Sequence, residues 1–229
     1  MHETNIIFEK FNLKNKNQYI GIFDMDGVII ESIPLWNEIN TKFFKSYGVG
    51  YDAVMYQKEI CGLSYDKTVE HISVNYIKSL TPSEIYEQMT NMAIEKFIET
   101  KINEYILNIA MSGFRKTILC TANIRPIAKA VLDKIYALYN FSFDKVITSD
   151  DQNMRHCHNK YDMYESTILS NGISYPISIF DDSLNTLEKL RSVSPPLKLV
   201  YVDNGHNFDN SRHTGITNLR RLSNEEVNV

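Results

Sequence analysis

The sequence is poor in the residues that would tie it together covalently or hold it in a membrane. Only three cysteines occur in 229 residues. Cys61, Cys120 and Cys157 are odd in number and widely spaced, which argues against a disulfide framework and for reduced thiols. Apolar runs such as residues 19–23 fall far short of the roughly 20 residues that span a bilayer, so no membrane partner is expected. Residues 1–18 are polar and lack the apolar segment of a secretory signal, and a cytoplasmic location is expected. Positive charge is not in surplus either. With 24 basic and 28 acidic residues the formal charge is -4, which offers no field for gripping a nucleic acid backbone. His156-Cys157-His158 has no second Cys/His cluster to complete the roughly four ligands of a structural zinc site. Arginine is missing from the whole chain before Arg115, and no internal repeat or low-complexity tract occurs apart from a polar, Asn-rich tail after Asn204.

What is present is an ordinary globular composition, 43% hydrophobic and 23% charged. At about 150 residues per domain the length corresponds to one domain with a sizeable insertion. Short runs rich in Ile, Val and Phe at 19–23, 116–120, 145–148, 177–180 and 198–202 read as buried strands. Helical spacing separates them: Ile127, Val131, Ile135 and Leu138, then Tyr164, Ile168 and Leu169, then Leu184, Leu187 and Leu190. Strands alternating with helices predict an α/β fold, a parallel sheet covered on both faces. Residues 32–110 break the alternation, with helical patterns and no strand, and are expected to form an inserted all-helical cap; 1–31 and 111–229 would form the core. Within the cap, an apolar stripe of Leu35, Trp36, Ile39, Phe43, Phe44 and Tyr47 stops at Gly48. Thr81-Pro82-Ser83-Glu84 predicts a helix start with a capping box, burying Ile85, Met89, Met92 and Phe97.

The first strand runs into Asp24-Met25-Asp26-Gly27, two carboxylates at the end of a buried segment. Ionised carboxylates are costly to bury alone, so a cation is expected beside them, and Mg²⁺ suits such oxygens. An EF-hand loop shares Asp-x-Asp-Gly but needs an acidic residue at the loop end, which is missing here. Three further segments end at the same predicted sheet edge. Thr121-Ala122-Asn123 precedes a helix begun near Pro126 and offers a hydroxyl and backbone N–H groups to an anion. Lys160 precedes the helical segment 161–169, and Asp181-Asp182-Ser183 gives a second acidic pair. Singly, Thr121, Asn123, Asp182 and Ser183 read more readily as helix caps and Lys160 as a surface lysine. Together they fit a ligand site outside the carboxyl ends of a parallel sheet.

These residues resemble the haloacid dehalogenase-like hydrolase superfamily over nearly the whole chain. Phe-Asp-Met-Asp-Gly-Val at 23–28 is similar to its first motif, Leu-Cys-Thr-Ala-Asn at 119–123 to its second, Lys160 to its third and Ile-Phe-Asp-Asp-Ser at 179–183 to its fourth. The resemblance implies a Rossmann-like core and, with a helical cap after the first motif, the branch of β-phosphoglucomutase and the sugar-phosphate phosphatases. Residues 30–36 are similar to the hexose-phosphate phosphatases. By motif, Asp24 would be the nucleophile that takes the phosphoryl group and Asp26 the acid and base. Thr121, Ala122 and Lys160 would hold the phosphate, and Asp24, Asp26 through its carbonyl, Asp181 and Asp182 would hold Mg²⁺.

A second aspartate at 26 separates phosphoester chemistry from dehalogenation, because a halide leaves without a proton. The resemblance therefore implies a Mg²⁺-dependent phosphatase acting on a small phosphate ester, a sugar phosphate in this branch. A phosphomutase and a non-catalytic regulatory relative are the alternatives. A mutase must grip a second phosphate, ideally with arginine. None occurs in the cap, and Trp36 stands where the phosphoglucomutase pattern has a histidine, which favours hydrolysis; Lys58 or Lys67 is left as a possible grip. The third motif lacks its usual prolines, and Glu31 stands where aspartate is common. Trp36, Gly62, Leu63, Ser64 and Lys67 are the cap residues expected to select substrate, although Gly62 reads equally well as a turn between helices.

Overall fold

The computed structural model describes residues 19–60, 63–170, 176–192, 197–203, 213 and 215–220. Its strands are β1 (Ile20–Phe23), β2 (Lys116–Cys120), β3 (Lys145–Ile147), β4 (Ile177–Asp181), β5 (Leu197–Asp203) and β6 (Ile216–Arg220). All pair in parallel, in the order β3-β2-β1-β4-β5-β6. After β3 the chain crosses back over β1 to start β4, so the direction of winding reverses at the β1–β4 boundary. The Rossmann-like α/β class expected from the alternation is the one observed. One strand escaped the sequence: β6 lies in the segment read as a polar tail, its ITNLR carrying too little apolar patterning to register.

Eight α-helices occur among the described residues. Five lie between β1 and β2, the first four being α1 (Ile33–Ser46), α2 (Ala53–Ile60), α3 (Tyr65–Asn75) and α4 (Pro82–Phe97). The others are α5 (Glu104–Gly113), α6 (Arg125–Tyr139), α7 (Lys160–Ser170) and α8 (Leu184–Leu190). The capping box at Thr81 forms in both directions with Glu84. Along α4, Ile85, Met89 and Phe97 are buried as expected, whereas Met92 is only partly so. Leu138, expected in the core, is 62% exposed, because the buried stripe of α6 ends at Ile135. No helix is long and apolar enough to cross a membrane. Cys120 and Cys157 are free, buried thiols; Cys61 lies outside the described residues.

Successive strand residues point to opposite faces, and the two faces pack differently. Ile22, Ile118, Ile179 and Leu199 meet α7 and α8 through Met163, Tyr164, Leu187 and Leu190. Phe23, Leu119, Phe180 and Val200 share one apolar cluster with α5, α6 and the helical insertion. The chain leaves and re-enters the core at one point: Ile30 bridges Ile102, the Glu31 N–H donates to the Lys101 carbonyl at 2.9 Å, and Asn103 N–H to the Ile29 carbonyl at 2.8 Å. These two crossings form a short strap.

Beneath the site, Phe23 stacks on Phe180 at 4.6 Å and meets Phe114 edge-on at 5.5 Å. Gly21 makes room for these rings. A Cβ there would lie 2.6 Å from Phe23 and 2.8 Å from Phe114. Gly21→Ala is therefore expected to lower stability by about 1–3 kcal/mol, the usual cost of overpacking, read as a fall in the urea midpoint with the slope unchanged.

Candidate active site

The site forms where β1 and β4 end side by side. Phe23 is in register with Phe180, so Asp24 and Asp181 emerge at the same level. Gly27 adopts φ 69°, and this left-handed turn folds residues 26–30 back so that Ile29 and Ile30 N–H both donate to the Met25 carbonyl at 3.0 Å. The turn aims both aspartates at one space.

Asp24 is 2% exposed, and its Oδ1 accepts the Met25 N–H at 2.6 Å. Its Oδ2 pairs with the Lys160 ammonium, which also lies 3.2 Å from Asp181 Oδ2. Lys160 is the first residue of α7 rather than the residue before it, and it is 7% exposed, not a surface lysine. Both Asp181 oxygens are engaged, Oδ2 accepting the Tyr164 hydroxyl at 2.6 Å and Oδ1 the Ser183 N–H at 2.7 Å. Burial and the Asp181 carboxylate hold the Tyr164 pKa well above its ordinary value, so it stays a donor. Tyr164 was not foreseen, since from sequence it is one more apolar position on the helix.

Asp26 is half-buried and held from two sides. Trp36 Nε1, from the insertion, donates to its Oδ1 at 3.0 Å, and the Asn123 amide, from the loop after β2, donates to its Oδ2. Burial raises its pKa against the lowering effect of the neighbouring Ser32, Trp36 and Asn123. Thr121 is fully buried and does not line the cavity; its Oγ1 accepts the Asn123 N–H at 3.1 Å. Neither Thr121 nor Asn123 caps α6. Ile124 is the N-cap residue, and the Arg125 N–H is taken by Asp150 Oδ1 at 2.8 Å. Ser183, by contrast, does cap α8, accepting the Thr186 N–H at 3.3 Å.

Asp24, Asp181 and Asp182 bring carboxylate oxygens within 4.8 Å of one another, the one such group among the described residues. Burial, with the Asp181 charge added, pushes Asp182 up to about 7 despite Lys160. Three carboxylates thus face one ammonium group. The surplus negative charge and all-oxygen donor set fit a hard divalent cation such as Mg²⁺.

Above this floor is a cavity of about 220 Å³. Asp24, Asp26, Lys160, Asp182, Ala122 and Asn123 form its base, and Trp36, Leu63 and Tyr65 are among the insertion residues in its walls. The loop before α3 touches the core directly: Leu63 bridges Asn159, Ser64 N–H donates to the His158 carbonyl at 3.4 Å, and Tyr65 N–H to the Ala122 carbonyl at 3.2 Å. Of the selectors expected from sequence, Trp36 and Leu63 line the cavity and Ser64 is buried beside it. Lys67 does not line it, its ammonium pairing with Glu70 at 2.7 Å on the exposed side of α3, and Gly62 lies outside the described residues. Lys58 is exposed and also outside the lining.

A profile of the family described as Haloacid dehalogenase-like hydrolase matches residues 21–180, well over half the chain. The chain belongs to this family. No curated protein matches the sequence. Among solved structures, this member is similar to CbbY from Rhodobacter sphaeroides in complex with phosphate, at 16% identity and TM-score 0.66, over 88% of this chain and 92% of that one. A CbbY variant in complex with xylulose-(1,5)bisphosphate matches at 16% identity and TM-score 0.67, over 88% and 93%. β-Phosphoglucomutase from Clostridium difficile matches at 17% identity and TM-score 0.64, over 91% and 94%. At these identities the likeness is one of fold.

The raised pKa of Asp182 has a measurable sign. Its carboxyl has an ordinary value of 3.8 and a folded value of about 7, so the metal-free folded state holds a proton that the unfolded state releases. Stability is then fully present below pH 3.8 and is lost as pH rises toward about 7. In EDTA the thermal midpoint should fall between pH 5 and 8, and excess Mg²⁺ should reduce that fall by binding the ionised form. A midpoint indifferent to pH and Mg²⁺ would contradict this.

Proposed function

We propose that this hydrolase is a Mg²⁺-dependent phosphatase that cleaves a small phosphorylated metabolite through an aspartyl-phosphate on Asp24. The observation that carries it is the placement of Asp24 and Asp26 at the base of one cavity, the first paired with Lys160 and the second held by Trp36 and Asn123.

Asp24 attacks phosphorus, forming the new O–P bond as the bond to the leaving oxygen breaks. Asp26 supplies the proton that oxygen needs, and burial, by raising its pKa, favours the protonated form that donates it. The same carboxylate then takes a proton from water, whose oxygen attacks phosphorus and releases phosphate, restoring Asp24. Lys160 neutralises charge beside the nucleophile, and of the loop after β2 it is Ala122 and Asn123 that reach the cavity to meet the transferring oxygens, the Thr121 N–H being taken by the Ile147 carbonyl at 3.0 Å. Asp24, the Asp26 carbonyl, Asp181 and Asp182 would hold Mg²⁺, which when bound supplies positive charge to an otherwise repelled phosphate dianion. Asp181 also fixes Lys160 through Oδ2, while Oδ1, with one bond to the Ser183 N–H, keeps a lone pair for the metal. Two free, buried thiols support a reducing, cytoplasmic setting.

Phosphate release from a panel of phosphate monoesters with Mg²⁺ tests the reading. Asp24→Asn should abolish release while the circular dichroism spectrum stays native, and Asp26→Asn should lower kcat by about 10²–10⁴-fold. Undiminished release by Asp24→Asn would overturn the assignment. Isomerisation of a sugar phosphate without net phosphate release would establish a mutase instead.

A further inference from the structure

The charges in the cavity are all on one side. Asp24, Asp26, Lys160 and Asp182 belong to the loops and helix at the sheet edge. Every described residue that the insertion contributes to the lining is uncharged. Its two lysines nearest the opening in sequence, Lys58 and Lys67, stay outside. A substrate whose far end carries a second phosphate or a carboxylate would meet no cation there. It would instead face the carboxylates of the base across a small space.

Three of these wall residues, Ser32, Tyr56 and Asn40, carry a buried polar atom without a hydrogen-bond partner, and Ser32 lies beside Asp26. Tyr56 is 1% exposed and Asn40 4% exposed, and both line the cavity. The Tyr56 hydroxyl and Asn40 Oδ1 have no hydrogen-bond partner, although the other end of the Asn40 amide donates to Tyr51 at 3.4 Å. Buried polar atoms are seldom left so without a reason, because an unmade hydrogen bond forfeits the solvation given up on burial. One is an acceptor only, and the other donates as well as accepts. A ligand hydroxyl satisfies both roles. Around them, Trp36 and Tyr65 add aromatic surface to the lining. At about 220 Å³ the space is below the roughly 300–1,000 Å³ usual for ligand cavities, which suits a small leaving group.

We infer that the insertion forms a neutral leaving-group subsite, with Tyr56 and Asn40 as its hydrogen-bonding residues, that selects a monophosphate of a small uncharged polyol or sugar and rejects substrates with a second anionic group. This rests on the phosphatase reading for the reaction, but the selectivity is measurable apart from it. It also distinguishes this chain from CbbY, whose variant is seen with a bisphosphate.

The test uses four compounds: a pentose monophosphate, the bisphosphate of the same sugar, phosphoglycolate, and phenyl phosphate, whose leaving group has neither charge nor aliphatic hydroxyl. Phosphate release gives kcat/KM for each. Trp36, the one tryptophan in the chain and a wall of the cavity, gives a fluorescence titration of binding to the Asp24→Asn protein. The pentose monophosphate should exceed the bisphosphate and phosphoglycolate at least tenfold in both measurements. Tyr56→Phe and Asn40→Leu should each reduce its advantage over phenyl phosphate about tenfold, mainly through KM. Equal or better handling of either doubly anionic compound would overturn the subsite, as would variants that keep the full preference. Absence of phosphate release from all four with the binding order intact would overturn the phosphatase reading and leave the subsite standing. Absence of binding by all four would overturn the subsite.

Discussion

One ammonium group shared by two buried carboxylates governs this molecule. Asp24, Asp181 and Lys160 are each less than a tenth exposed, and each is tolerable in that position only because the others are there. Bringing them together needs β1 and β4 adjacent in the sheet, in a register that ends both strands at one level. It also needs the crossover after β3 to return α7 with its first residue at that edge. Tyr164, one turn along α7, adds a hydrogen bond to the same Asp181 oxygen that faces Lys160. The strand order of the sheet and the position of the charge cluster are therefore one constraint seen twice.

Around that cluster the chemistry is divided by origin. Residues from the sheet edge carry the charge, and residues from the helical insertion carry shape, aromatic surface and neutral polarity. The Trp36–Asp26 hydrogen bond spans the two groups. Asp26, the acid and base of the proposed reaction, thereby takes part of its orientation from the insertion, so in that reaction a substrate that seats the insertion would also set the geometry of proton transfer.

Much of this was legible in the sequence, for physical reasons that also explain the gaps. Five strands announce themselves because parallel strands buried on both faces are continuous apolar runs, and Asp24 and Asp26 stand out because charge is unusual at the end of such a run. The strand β6 does not, since Thr217 and Asn218 interrupt its apolar pattern. Lys160 and Asp182 could be placed by order along the chain, but their contacts depend on the crossover. Tyr164, Asn40 and Tyr56 were hidden for a common reason. Each sits on the buried side of a helix, where an aromatic or small polar residue is indistinguishable from packing until the neighbours of its one polar atom are known. Thr121 and Asn123 erred the other way: their types suit a helix cap, yet the helix starts later and Asp150 takes the first N–H.

The strap at Glu31 and Lys101 makes the helical insertion a detour with almost no displacement. The chain departs and returns at points one hydrogen bond apart, so roughly seventy residues are added without separating the ends they join. Topologically the sheet is complete without them. A core whose entry and exit for an insertion already touch can exchange that insertion for another of different length or lining while its own strand pairing stays as it is. In such an architecture the reaction and the choice of substrate are free to vary separately.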